Sequence, residues 1–577
     1  MKHRFTFVLF TAVVLFSMML ASCQPPAPAT EAPAAPPTEA PAAPPTEAPA
    51  APPTEAPAAP AYEPMVVSAE NCDYGGEFKS IEALDEHTVK FTLCYPDPAF
   101  PSKVAFSVFS IQDKDYLDAN QGDSVKMSDQ PNGTGPYKVT EWKRGDSITF
   151  EAYPDYWGEK AKTKTLIFRW SAEAAQRFLE LQSGTADGID NPATEDWEAI
   201  ESDANLKLYP RDGMNIFYIG FNHDLDPFKD EKVRQAFAMA IDRQRIVDQY
   251  YPKGSTVAVN FVPPALVPGA SPDVPWYDYD PQKAKAMLEE AGFDFNQEIE
   301  LSYRNVVRAY LPNPVVVGQE IQAQLAEIGV KVKLNEMEST TFLDATAAGE
   351  KPFYLLGWNA DYPDASNFFD YHFAAETNLQ FGTLFEDIVK EIRAGGQTAD
   401  PDERQMHYTK VNELLKEHVP MIPVAHGGSG TAFKASVKGA HSSPLGNERF
   451  SVMETGTDQL VWVQNGEPAA LWCSDETDGE SLRACEQVYE PLLSFVVGGA
   501  EVEPALAETY ESNEDLTEWT FTLRKDVKFH NGATLDANDV VATYASLWDA
   551  SSPNHVGRTG NFEYFTAFFG TFINAPK

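Results

Sequence analysis

Positive charge is what this sequence has least of for its size. Its 577 residues hold 44 Lys and Arg against 86 Asp and Glu, a formal net charge of −42. No run of Lys/Arg exists, and a phosphate-binding surface needs one, so nucleic acid is excluded as a partner. The same shortage excludes a polybasic membrane patch. Cysteine is scarce, with five residues, and the ten histidines are scattered. No CxxC or Cys/His spacing suggests zinc. HExxH, GxSxG, a phosphate-binding Gly-Lys loop and a dinucleotide fingerprint are all missing, so no catalytic residue, metal or cofactor is expected. Gly427-Gly428-Ser429-Gly430 reads as a loop, not a nucleophile elbow. Carboxylate pairs are too numerous for any to stand out. The apolar run at residues 5–20 has 16 residues, short of the roughly 20 that span a bilayer.

What is present begins with an address. Lys2, His3 and Arg4 precede the apolar run, as in a signal peptide. The run leads into Leu20-Ala21-Ser22-Cys23, which resembles the lipobox of bacterial lipoproteins. Cleavage after residue 22 and acylation of Cys23 are expected; an ordinary secretory signal with a chance Cys is the alternative. Proline is uneven, with 14 of 44 between residues 25 and 60. Residues 30–61 hold TEAPAAPP three times and then TEAPAAPA. That density of Pro blocks helix and sheet pairing and favours polyproline II. Extended at roughly 3.1 Å per residue, the stretch from Gln24 to Tyr62 would reach about 120 Å, a spacer holding a folded body off a membrane. The body beyond it carries about −40 of the charge. Hydrophobic content of 43% and aromatic content of 12% exclude a wholly disordered chain.

Without Cys23, four cysteines remain, an even number in an exported chain. Proximity suggests Cys72–Cys94 and Cys473–Cys485. The first pair would close a hairpin of strands 77–83 and 87–93. Free thiols or a crossed pairing are the rival readings.

Helices with clear ends follow. Asp280-Pro281 opens one, with Ala284, Met287 and Leu288 on a face and Gly292 at its end. Val317, Ile321, Leu325 and Ile328 form a second stripe, Val233, Phe237, Ala240 and Ile241 a third, and Met406, Val411, Leu414 and Leu415 a fourth. Strands alternate with them at 330–334, 353–358 and 421–425, which means α/β organisation.

Four long stretches carry a family resemblance. They are "PALAETYESNEDLTEWTFTLRKDVKFHNGATLDANDV" at 504–540, "NGTGPYKVTEWKRGDSITFEAYPDYWG" at 132–158, "FYIGFNHDLDPFKDEKVRQAFAMAIDRQRIV" at 217–247 and "GWNADYPDASNFF" at 357–369. Together they resemble solute-binding protein family 5, the receptors of oligopeptide, dipeptide and related ABC importers. The order differs from the family's, where the LRKDVKFHNG-type segment precedes the GTGPYK-type segment. Each part occurs once, so the order points to circular permutation, with old ends joined at residues 454–457.

The resemblance implies an α/β, two-lobed periplasmic-binding-protein-like (type II) fold with an extra domain, circularly permuted. Lobe I would be 127–225 plus 430–495 and lobe II 226–429. The appended domain, 64–126 plus 496–577, would contain the seam. It further implies a monomeric, lipid-anchored receptor on the outer face of the cytoplasmic membrane, delivering oligopeptides to ABC permease subunits. In peptide-binding members an Asp of the GWxxD segment pairs with the ligand's α-ammonium, and Asp361 matches it. Trp358 would be a hydrophobic wall, and the backbone at Trp358 and Asn359 would pair with the peptide. Tyr489 and Asn222 are weaker candidates from matching segments. The Arg that dipeptide receptors use for the ligand's carboxylate is read as Val here, with Arg304 and Arg308 nearby, so a longer peptide fits better. Oligosaccharides or another non-peptide solute are the alternative ligands.

Overall fold

Three helices of the body start in the same way. Pro281–Glu290, Pro314–Glu327 and Pro401–His418 each begin on Pro, preceded by Asp280, Asn313 and Asp400, whose side chains accept first-turn amide hydrogens. Pro has no N–H to satisfy there, and the Asp or Asn oxygen takes one of those left over. The buried side of the last helix is Arg404, Tyr408, Val411, Leu414 and Leu415. Met406, expected on that stripe, is 60% exposed instead. Met406 lies about 200° around the helix from Tyr408 at about 100° per residue, so one face cannot hold both.

A computed structural model describes residues 62–575 except 122, 376 and 377. The signal segment, Cys23 and the repeat tether lie outside the described residues. Three large sheets organise the rest, of seven, six and five strands, with a small two-stranded ribbon. We call the seven-stranded layer lobe I, the six-stranded layer lobe II and the five-stranded layer the appended domain.

In lobe I, Gln459–Gln464 runs parallel to both Thr165–Trp170 and Gly188–Asp190. Within lobe II, Glu298–Arg304 is parallel to Lys331–Met337 and to Phe353–Asn359. Asn215–Phe221, buried at every position, lies between Phe353–Asn359 and Met421–His426, antiparallel to both. A strand buried on both faces and paired on both edges is core. It therefore belongs to lobe II, and the first crossing between lobes falls at residues 212–214, not at 225/226 as expected. The return crossing is residues 427–428, from Met421–His426 into Ser429–Lys434 of lobe I. Asn215 binds the two together: its Nδ2 donates to the Gly427 carbonyl at 2.7 Å and its Oδ1 accepts from the Gly427 amide at 2.8 Å.

The appended domain draws strands from distant stretches. Its order is Val66–Ser68, Phe78–Asp85, Thr88–Leu93, Glu518–Leu523, Ala507–Ser512. Phe78 packs on Phe91 and Phe100 and equally on Tyr544, Trp548 and Phe569. The Glu77 amide donates to the Phe569 carbonyl at 2.8 Å. Cys72 is bonded to Cys94 and Cys473 to Cys485, with Cα separations of 5.5 and 5.9 Å. Among the described residues, no helix is long and apolar enough to cross a membrane.

Candidate functional site

The parallel strands of lobe II end at one edge of their sheet, beside the crossings. Carboxyl ends of parallel strands are where open α/β sheets place ligands. Asp361 lies two residues past Phe353–Asn359, at that edge. Its Oδ2 accepts from Asn367 Nδ2 at 3.0 Å and its Oδ1 from the Tyr564 hydroxyl at 2.9 Å. Asn367, on the short helix Ser366–Phe369, also receives the Asp361 amide and the Trp358 indole N–H on its Oδ1, both at 3.1 Å. One buried amide thus fixes the carboxylate, its backbone and the neighbouring ring. No ion pair to Asp361 occurs among the described residues. Removal from water pushes its carboxyl up to about 7, against the two hydrogen bonds that favour the charged form.

The walls are aromatic. Trp358 stacks on Tyr371 at 4.9 Å between centroids and meets His372 edge-on at 5.0 Å. Burial holds His372 neutral, down at about 3, while its Nδ1 contacts the Phe368 carbonyl at 2.8 Å. Asn359, at the strand end, is exposed. Tyr362, next to Asp361 in the chain, inserts into the core of the appended domain against Phe568 at 4.7 Å. The Asp361 loop of lobe II is therefore already docked on the appended domain.

Two cations stand on the same side. Arg304 ends its strand and donates to the Ser339 and Tyr310 hydroxyls at 3.0 and 3.1 Å. Arg308, four residues on, donates to the Val307 carbonyl at 3.2 Å. Neither has a carboxylate partner among the described residues. The turn that follows packs against both Gly357 and Gly427: a Cβ on Gly357 would fall 2.3 Å from the Tyr310 ring, and one on Gly427 2.1 Å from the Ala309 carbonyl.

The other expected residues are elsewhere. Asn222 follows the far end of Asn215–Phe221, seven residues or about 23 Å from the edge that holds Asp361. Its amide is spent on the Gly349 and Leu379 carbonyls and on the Asp224 amide. Tyr489 is 2% exposed and belongs to the lobe I core with Ala484, Cys485 and Val488. Trp358, Asn359 and Asp361 are together. Asn367 and Tyr564 join them and were missed by sequence reasoning. Asn367 was findable, lying six residues on in the same motif, whereas Tyr564 is 203 residues away.

The description "Bacterial extracellular solute-binding proteins, family 5 Middle" matches residues 30–380 and 501–563. A dipeptide-binding protein of Escherichia coli (strain K12) is 31% identical over 379 residues, covering 64% of this chain and 70% of the relative. The heme-binding protein A of Haemophilus influenzae is 30% identical over 384 residues, covering 64% and 69%. Among solved structures, a dipeptide binding protein from Pseudoalteromonas sp. SM9913 in complex with Met-Leu superposes with a TM-score of 0.61 at 26% identity, covering 66% of this chain and 76% of that one. HbpA2 from Haemophilus parasuis does so with 0.55 at 34%, covering 64% and 74%. The chain belongs to the family 5 extracellular solute-binding proteins, two-lobed receptors of the type II fold. These are transport receptors, not enzymes.

Proposed function

We propose that the chain captures short peptides between its lobes, holding their α-ammonium on Asp361, and hands them to an ABC importer. The observation that carries this reading is a half-buried carboxylate with no cation beside it among the described residues, at the ligand edge of the lobe II sheet. Such a group costs free energy until a positive charge arrives, and closing a dry cleft over the pair makes the attraction strong. The stacked Trp358 and Tyr371 supply an apolar wall for a side chain. Arg304 and Arg308 offer positive charge for the ligand's carboxylate, which restores short peptides to the candidate list. The names of relatives that bind dipeptides and a structure holding the peptide STSA support the same class. Heme is named for one relative at similar identity, so the second reading is a non-peptide solute.

Titration calorimetry with a free-amino dipeptide and its N-acetylated form separates them. Binding at micromolar affinity, weakened at least roughly 100-fold by acetylation or by Asp361→Asn, is expected for a desolvated charge pair. Equal affinity of both forms overturns the ammonium reading, and binding of neither leaves the non-peptide solute.

We further propose that acylated Cys23 anchors the body through its repeat tether, and that the chain is a circular permutant. The five-stranded sheet built from both ends supports the permutation, as does a family match in two pieces. Peptide mapping of the exported protein tests both. A diacylated peptide starting at Cys23 and a continuous one across residues 450–460 are expected. A peptide running from the 574 region directly into the 78 region overturns the permutation.

A further inference from the structure

The junction between lobe I and the appended domain carries a pair of buried acids, outside the site just described. Asp475 and Glu476, 4% and 1% exposed, follow Cys473, whose bond to Cys485 pins the loop to the helix Gly479–Val488. Glu476 makes a two-pronged ion pair with Arg558, at 2.9 and 2.8 Å to Nε and Nη2. Among the described residues, Asp475 takes no cation. Its Oδ2 accepts the Thr559 and Gly560 amides, and its Oδ1 accepts the Thr559 hydroxyl at 2.7 Å and the Phe562 amide at 3.1 Å. Four donors from one turn converge on one carboxylate.

That turn is not at rest without help. Phe562 sits at φ +45°, a left-handed conformation that disfavours a bulky side chain, and it is fully buried. It immediately precedes the helix Glu563–Phe569, whose second residue is Tyr564. Gly557 comes so close that an added Cβ would lie 2.3 Å from an Asp475 oxygen.

We propose that Asp475 is a positioning residue for the cleft: by fixing the 559–562 turn, it sets where the Tyr564 hydroxyl meets Asp361, and so how readily the cleft holds a cationic group. The proposal rests on the reading of Asp361 as the ligand's carboxylate. The hydrogen bond from Tyr564 favours the charged form of Asp361, so losing it makes the acid harder to ionise. Charged groups around the turn are Arg558, Glu476, Asp478 and Glu563, with Asp344 facing Glu563 from lobe II. None of them bonds to Asp361, whose side-chain partners are Asn367 and Tyr564.

The test uses the full chain and a free-amino dipeptide, with affinity followed from pH 5 to 8. Tyr564→Phe should weaken binding roughly tenfold at pH 6, the weight of one hydrogen bond to a charged group, and move the midpoint of the pH profile upward. Asp475→Asn, which turns an amide against two donors, should reproduce that shift, and the double variant should add nothing to it. Gly557→Ala, which displaces the same carboxylate without removing it, should shift the midpoint the same way if Asp475→Asn fails to fold. Glu476→Gln should leave the midpoint in place. An unmoved midpoint in Asp475→Asn and Gly557→Ala, or full additivity with Tyr564→Phe, overturns the proposal. Hydrogen exchange of residues 559–569 in the ligand-free protein gives a readout independent of the ligand. Faster exchange in Asp475→Asn is expected, and unchanged exchange overturns the proposal. Should Asp361→Asn bind as well as the native chain, the ammonium reading falls instead, and the exchange result still decides the positioning.

Discussion

Two carboxylates of this chain, one buried and one half-buried, have opposite fates. Glu448, in lobe I, receives Arg483 Nε at 2.9 Å and a guanidinium nitrogen of Arg211, and the same two arginines reach Asp190 at 3.1 and 3.2 Å. Two positive and two negative charges close on themselves, each side chain no more than 8% exposed. Burial alone would raise the Glu448 carboxyl, yet the two arginines bring it down to about 2. Asp361 has hydrogen bonds but no cation among the described residues, and desolvation carries it the other way. A charge quartet that is already neutral stabilises a structure; a lone carboxylate awaits its counter-ion from outside. Both stand near the crossings between lobes, Arg211 at the last residue before the first one and Ser429, 3.2 Å from Arg211, at the first residue after the second.

Breaking the quartet should have the largest effect. Glu448→Gln leaves two buried guanidinium groups sharing one carboxylate, a loss of about 3–5 kcal/mol of unfolding free energy. Urea denaturation checks it, and a loss below about 1 kcal/mol would mean that water reaches the quartet. Next comes Asp361→Asn. It should cost about 3 kcal/mol in peptide affinity, while the melting temperature of the ligand-free protein at pH 8 holds or rises, since an uncompensated charge has been removed.

The pH dependence sharpens the contrast. The stability contributed by Glu448 is present above its ordinary 4.5 and is lost as pH falls toward 2. For Asp361 the folded protein binds the proton more tightly than the unfolded chain does. Stability therefore falls as pH rises from 3.8 through about 7, then levels. Melting curves of the native chain minus each variant should slope in opposite directions over those windows. Peptide affinity should climb up to about pH 7, with proton release on binding below it, detected by calorimetry in buffers of different ionisation enthalpy. The smallest effect is expected of Asn367→Ala, about 1–2 kcal/mol in affinity for one hydrogen bond to the carboxylate.

The sequence disclosed local and motif-borne features well. Helix starts at Asp280-Pro281 and the stripe from Val317 to Ile328 depend on neighbours three or four residues apart. Asp361 and Trp358, proposed from one contiguous segment, share the Asn367 side chain in the fold. Partners far apart in the chain were invisible: Asp190, Arg211, Glu448 and Arg483 come from four separate stretches, and each alone reads as a solvated charge. Tyr564 was hidden for the same reason. Asn222 misled because an Asn beside a strand end serves equally well to tie loops through backbone carbonyls. The lobe boundary was misplaced because a strand buried on both faces looks the same whichever sheet owns it.

The five-stranded sheet has a consequence for how the molecule is made. Its strands Phe78–Asp85 and Thr88–Leu93 leave the ribosome early, but the neighbour of Thr88–Leu93, Glu518–Leu523, follows more than 400 residues later. Non-local pairings of this kind carry a loop-closure cost and form slowly. Lobe II, complete between residues 215 and 426, is free to fold while the chain is still emerging. The appended domain is expected to form last, and until it does, Phe78 and Phe91 lack their partners Tyr544 and Phe521. Assembly of the carboxylate site waits on the same event, because Tyr564 belongs to the final stretch.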